Sequence, residues 1–213
     1  MNFNGLPPKQ GLYDPKFEHD ACGIGLIANI KGKKSHSIID SAIRILKNLA
    51  HRGGVGSEPD TGDGAGILIQ IPHKSMKKVC VNEDIKLPDE GEYGVGMLFL
   101  SPDIETRTKS LEKLKKIVEQ EGQTFLGVRE VPTYAKCIGK SAKEAMPRIV
   151  QVFIKKADNI NAGVGFERKL FVILKRAEAD IRFCKEVRDN YFYFASLSSK
   201  TIVYKGMLTP EQV

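Results

Sequence analysis

Glu18-His19-Asp20-Ala21-Cys22-Gly23-Ile24-Gly25-Leu26-Ile27-Ala28 is the stretch on which the reading of this chain turns. From Cys22 the residues alternate, with Cys22, Ile24, Leu26, Ala28 and Ile30 on one face and Gly23, Gly25, Ile27 and Asn29 on the other. That is the period of a strand, and it predicts one over 22–30 with a thiol at its head. The two glycines leave backbone open to close approach by a ligand or another strand. Taken alone, the thiol fits two descriptions. It is a nucleophile at the mouth of a sheet, or a small core cysteine of the kind that proteins bury readily.

Before this stretch, residues 1–21 are rich in Gly, Pro and charge and read as an extended leader. They lack the basic region and apolar core of a signal peptide. After it, a turn at Lys31-Gly32-Lys33 leads to Ile38, Ile39, Ala42, Ile45, Leu46 and Leu49, spaced as a helix with Ser35 or Ser37 as its cap. Next comes the densest glycine segment, His51 to Gly66 (HRGGVGSEPDTGDGAG), and then a strand over Ile67–Ile71. A phosphate loop needs its glycines between a strand and a helix amino terminus. Here the order is helix, loop, strand, without Gly-Lys-Ser/Thr, which disfavours a nucleotide site.

Further along, 73–92 reads as irregular surface with one helical turn near Met76. Tyr93–Leu100 reads as a buried strand, and 103–121 as a helix with Ile104, Thr108, Leu111, Leu114 and Val118 inward, stopped by Gly122. Strands follow at Leu126–Val131 and Ile149–Ile154. Phe166, Leu170, Ile173, Ala177 and Ile181 give helical spacing again. Tyr191–Leu197 and Thr201–Lys205 read as a strand pair joined by a tight turn. The tail from Gly206 to Val213 offers no closing element, and the chain is expected to be incomplete at its carboxyl end.

Composition narrows the function classes. The 213 residues are 41% hydrophobic and 28% charged, ordinary values for a globular domain. No apolar run approaches the length of a membrane span. Cys22, Cys80, Cys137 and Cys184 lie far apart without a Cys-x-x-Cys pair. That spacing argues against zinc, an iron–sulfur cluster and a disulfide framework, and suits a reducing cytoplasm. The net charge of +7 comes from scattered lysines without the interleaved aromatics of a single-strand platform, so nucleic acid is not expected.

A conventional thiol mechanism would pair a cysteine with His19, His36, His51 or His73, the four histidines of the chain. His19 lies in the leader, His36 and His73 in surface turns, and His51 beside Arg52, where it would orient the loop. Arg52 is a planar bidentate donor suited to a carboxylate. Asp63 is either a turn aspartate bonding its own backbone or part of a binding loop.

Gly11-Leu12-Tyr13-Asp14-Pro15 followed by Glu18 to Gly23 resembles the amino terminus of the glutamate synthase large subunit, a class II (amino-terminal nucleophile) glutamine amidotransferase domain. The similarity continues through Thr61-Gly62-Asp63-Gly64-Ala65-Gly66, Tyr93-Gly94-Val95-Gly96-Met97, Gly127 to Pro132, Pro147 to Ile154, Phe166 to Leu170, and Ser196 to Ser199. Val128 departs from it, standing where tryptophan is expected.

The resemblance implies an α+β fold, the four-layer α/β/β/α sandwich of amino-terminal nucleophile hydrolases. It divides the chain into a leader, 1–21, and an incomplete amidotransferase domain, 22–213. Cys22 is then the nucleophile, and Arg52, Gly53, Asp63 and Gly64 are the substrate-binding residues. The substrate is glutamine, and the ammonia released serves reductive amination of 2-oxoglutarate in later domains. No cofactor is expected in this chain. FMN and an iron–sulfur cluster belong to those later domains, and a small reductase subunit or ferredoxin would be the partner. The family's Arg-Phe-Ser-Thr-Asn and His-Asn-Gly-Glu segments do not occur in the sequence, so the unprocessed chain is expected to be inactive alone. A silent precursor or fragment, and a basic binding module sharing the fold, are the alternatives.

Overall fold

A computed structural model describes residues 8–12, 14, 23–54, 58–183 and 187–213. The elements run α1 (His36–Asn48), β1 (Ala65–Gln70), α2 (His73–Val81), β2 (Tyr93–Leu100), α3 (Ile104–Gln120), β3 (Thr124–Glu130), α4 (Lys140–Glu144), β4 (Arg148–Lys155), α5 (Val164–Ala177), β5 (Tyr193–Ser198) and β6 (Thr201–Gly206). One antiparallel sheet has the order β3-β4-β2-β5, and β1 pairs with β6 in a second antiparallel sheet.

β2 organises both cores because every residue but Phe99 is buried. Strand alternation sends Leu98 and Leu100 to one side, where Val150, Val152 and Ile154 of β4 join them. Leu114, Ile117 and Val118 of α3 and Phe166, Leu170, Ile173 and Ala177 of α5 cover that side. Gly94 and Gly96 let the layers close. A Cβ at Gly96 would lie 2.6 Å from Val152 Cγ2 and 2.8 Å from Phe194 Cε1.

Tyr93, Val95 and Met97 point the other way, into a second cluster with Phe153 of β4, Met76 and Cys80 of α2, and Ile202 of β6. Ile69 of β1 and Tyr204 of β6 pack against it. A buried amide spans the two sheets there: Arg129 Nη1 donates to Gln151 Oε1 at 2.9 Å, and Gln151 Nε2 donates to Tyr204 Oη at 3.2 Å. Buried amides are retained when both ends are satisfied in this way.

Three sequence expectations change. Residues 23–29 form no strand, and Ile24 and Leu26 are almost fully exposed. Alternation supplies only a face, while a strand also needs a ladder partner, and none of the described strands pairs with this segment. The 73–92 region holds a true helix, α2, with Met76 and Cys80 buried four positions apart. The expected strand pair β5 and β6 divides between sheets, β5 on β2 and β6 on β1, so their connection is a corner. Glu167 of α5 holds that corner, accepting from Ser199 N–H at 2.7 Å and from the hydroxyls of Ser198 and Ser199.

Inward assignments shift too. Ile104 is exposed, and Ser110 and Ile117 take inward places on α3. Asp103 caps that helix by accepting from Thr106 N–H at 2.8 Å. Gly122 ends it at φ +74°.

Candidate functional site

The sequence-predicted site residues fall on three segments. Cys22 lies outside the described residues, as does the side chain of Arg52. The Arg52 backbone closes a single 3₁₀ turn, Ala50–Arg52, and Gly53 N–H donates to Ala50 O at 3.1 Å. Asp63 and Gly64 sit just before β1 and are exposed.

Two of these segments meet. Asp63 N–H donates to Gly54 O at 3.0 Å, and the Asp63 carboxylate lies where a Cβ on Gly54 would be. A side chain at position 54 would therefore displace Asp63. This contact makes Gly53-Gly54 and Asp63-Gly64 one wall. The third segment joins it beyond the thiol, because Ile24, two residues after Cys22, lines the same open groove as Asp63 and Gly64. The groove is about 900 Å³, with Leu68 of β1 and Tyr193 and Lys205 of β5 and β6 completing it. Lys205 Nζ donates to Tyr193 Oη at 2.7 Å and stands 4.4 Å from the centre of that ring. Among the described residues, Asp63 and Lys205 are the charged members of the lining.

The glycine-rich segment is anchored from behind. Glu58 Oε2 accepts from Thr61 Oγ1 at 2.8 Å and from Ser141 N–H at 3.0 Å. These donors, the Ser141 amide foremost, hold the Glu58 carboxyl below the usual carboxylate range. Gly139 N–H donates to Asp60 O at 2.9 Å. Gln212 Nε2 reaches Asp60 O at 3.0 Å and Cys137 O at 2.6 Å. A Cβ on Gly62 would meet the Leu208 carbonyl oxygen at 2.3 Å, so glycine admits the chain's last turn. Sequence reasoning missed Glu58, Gln212, Tyr193 and Lys205. The Thr209-Pro210-Glu211-Gln212 capping box was the one local signal among them, and both of its bonds form.

Other nucleophile–base pairs fare poorly among the described residues. Cys80 is fully enclosed, and burial pushes its thiol up to about 11, away from the reactive thiolate. Cys137 is exposed, and its thiol meets the Tyr134 carbonyl at 3.1 Å. His73 Nδ1 faces Tyr93 Oη at 3.0 Å, His51 Nδ1 faces Asn48 O at 3.0 Å, and His36 faces Asp40 at 3.3 Å. Each of these imidazoles is engaged by an oxygen. No group of three metal-ligating side chains occurs among the described residues, and no helix among them is long and apolar enough to cross a membrane.

The family model of class II glutamine amidotransferases matches residues 22–213, beginning at Cys22. The chain is 51% identical over its whole length to the glutamate synthase [NADPH] large chain of Bacillus subtilis, covering 14% of that protein. It is 40% identical to the glutamate synthase [NADH] of Saccharomyces cerevisiae, with 99% of this chain and 10% of that one aligned. A chloroplastic ferredoxin-dependent glutamate synthase 2 of Arabidopsis thaliana is 38% identical, with 99% of this chain and 13% of that one aligned. The chain thus spans a seventh or less of these relatives. With nearly its whole length matched by that model, the chain belongs to the class II glutamine amidotransferases.

Proposed function

We propose that this chain is the leading part of the glutaminase domain of a glutamate synthase, with Cys22 as its nucleophile once residues 1–21 are removed. One observation carries the reading: the chain just beyond Cys22 shares a groove with Asp63 and Gly64, and Gly54 bonds Asp63 to the Arg52-Gly53 turn. A free amino-terminal cysteine holds its own base. In model peptides the thiol titrates near ~8.5 and the α-amine near ~7.7–8.0, so the amine accepts the thiol proton at neutral pH. The thiolate then attacks the side-chain amide carbon of glutamine. The carbon–nitrogen bond breaks, and ammonia leaves with the proton returned by the α-amine. Water hydrolyses the thioester to glutamate and restores the thiol. With the leader attached, that nitrogen is an amide without useful basicity.

In this reading Arg52 and Gly53 recognise the carboxylate end of glutamine, and Asp63 and Gly64, tied to the same turn through Gly54, line the groove beside it. The contacts of α1 with β1, and of α3 and α5 with the four-stranded sheet, support the order α/β/β/α for the complete domain. The ammonia passes to later domains of a longer chain, which carry FMN and an iron–sulfur cluster. Those domains reduce the imine of 2-oxoglutarate with electrons from a reductase subunit or ferredoxin, in the cytoplasm of the source cell.

The test places this chain in the Bacillus subtilis large chain in exchange for the segment it matches. Amino-terminal sequencing should begin at Cys22, and glutamine hydrolysis should vanish in Cys22→Ala. A protein that retains Met1 or Asn2 and still hydrolyses glutamine would overturn the free-amine mechanism. Residues 1–213 alone should release no ammonia.

A further inference from the structure

The inner side of α5 packs Phe166, Leu170, Ile173 and Ala177 without exposure. Its outer side is apolar as well: Val164, Phe171 and Val172 are 62%, 60% and 40% exposed. With 3.6 residues per turn, positions 164, 168, 171, 172 and 175 share one stripe about 100° wide, opposite the packed face. Beyond the end of α5, Phe183 is in the open as well. Singly exposed apolar side chains are ordinary, whereas a run that includes an aromatic marks a contact surface.

The charges on this face have one dominant sign. Lys175 Nζ lies 5.9 Å from the Phe171 ring centre, and the Arg182 guanidinium 5.8 Å from that of Phe183. Arg168 stands on the stripe without a carboxylate partner among the described residues. Glu178 is already bonded to Lys175 at 2.9 Å. A second copy would bring cation against cation, which disfavours self-association. Complementarity calls for carboxylates around an apolar hollow.

We propose that the outer face of α5 docks on such an acidic-rimmed hollow formed by the polypeptide that follows residue 213, with Phe171 as the anchor. The proposal rests on the glutamate synthase reading, since the relatives above hold this region within chains of which it forms only 10–14%.

The exchanged Bacillus subtilis large chain described above supplies the test. A carbodiimide joins lysine to a carboxylate in contact, and mass spectrometry locates the bond. Lys175 should couple to an Asp or Glu outside residues 1–213. The double variant Phe171→Ser, Arg168→Glu should lower that coupling at least roughly tenfold, the scale of an aromatic anchor. Both side chains face solvent, so an unchanged far-UV spectrum verifies the fold. Coupling only to Glu178 or elsewhere within 1–213, coupling between isotopically distinct copies, or indifference to the variant would overturn the proposal. Glutamine hydrolysis in the same preparation separates the two readings. Coupling without Cys22-dependent hydrolysis keeps the docking face and removes the glutaminase assignment.

Discussion

The α3–α5 side of the four-stranded sheet and the groove side of the β1–β6 sheet are closed by different means. Against α3 and α5, large side chains of both helices and of β2, β4 and β5 interlock, and Leu114, Phe166, Leu170 and Ile173 are sealed from solvent. Beside β1 of the second sheet, α1 has apolar residues at helical spacing, yet none of its residues is buried. Leu68, on the β1 face that lines the groove, is 63% exposed. What holds the groove wall is hydrogen bonding and close backbone approach: Glu58 to Ser141, Asp63 to Gly54, Gln212 to Asp60, and Gly62 beside Leu208. Interlocking hydrophobic volume builds the scaffold, and directional bonds shape the loops where a substrate would lie.

Substitutions test this division. Phe166→Ala removes a sealed ring from the helical face and should cost about 3–5 kcal/mol, the usual loss for a buried aromatic. Urea unfolding followed by far-UV dichroism measures it, and a loss as small as that of an exposed residue would break the contrast. Gly62→Ala should cost about 1–3 kcal/mol although it adds one methyl group, because that group meets backbone rather than a movable side chain. Its partner prediction is local: amide protection at residues 206–212 should fall more than protection in α3 and α5. Tyr204→Phe should cost about 1 kcal/mol by leaving the buried Gln151 amide short of one acceptor.

Acid titration separates the faces in another way. Glu121, at the end of α3, accepts from Arg176 and Lys169 of α5, and these partners hold its carboxyl below the usual glutamate range. The unfolded chain therefore binds the proton more readily, and stability rises with pH across that window. The contribution is complete above the ordinary value of about 4.3 and fades as pH falls through the folded one. Unfolding midpoints of the wild type should drop more steeply below that pH than those of Glu121→Gln. Smallest of all, Leu68→Ala should change stability by no more than about 0.5 kcal/mol, since the side chain is already largely in water. A loss several times larger would mean that the groove face is better packed than its exposure indicates.

Much of the helical face was legible in the sequence. Tyr93–Leu100 reads as an apolar run and is β2 to the residue, and the spacing of Phe166, Leu170, Ile173 and Ala177 names the buried side of α5. Lys74, Lys77 and Lys78 dilute α2, so the two inward residues Met76 and Cys80 carry too little pattern to announce a helix. The division of β5 and β6 between sheets has no local signature either, because periodicity specifies a face and never a partner strand. In the site, glycine density marked the loop and the resemblance marked Cys22. The Gln212 bridge joins residues 152 positions apart, and Glu58 reaches Ser141 across 83. No window of neighbouring residues encodes such contacts.

The pairing of β1 with β6 sets a clock during synthesis. Ile67 faces Tyr204 across that ladder, and at about 5–20 residues per second a ribosome needs roughly 7–27 s to make the stretch between them. For that interval Ile67-Leu68-Ile69-Gln70-Ile71 has no strand to receive it, and it is uncharged and strongly β-forming. Such a run is the kind that neighbouring nascent chains capture. Pro72, His73 and Lys74 follow it immediately, a proline and a cation placed where gatekeepers limit that capture.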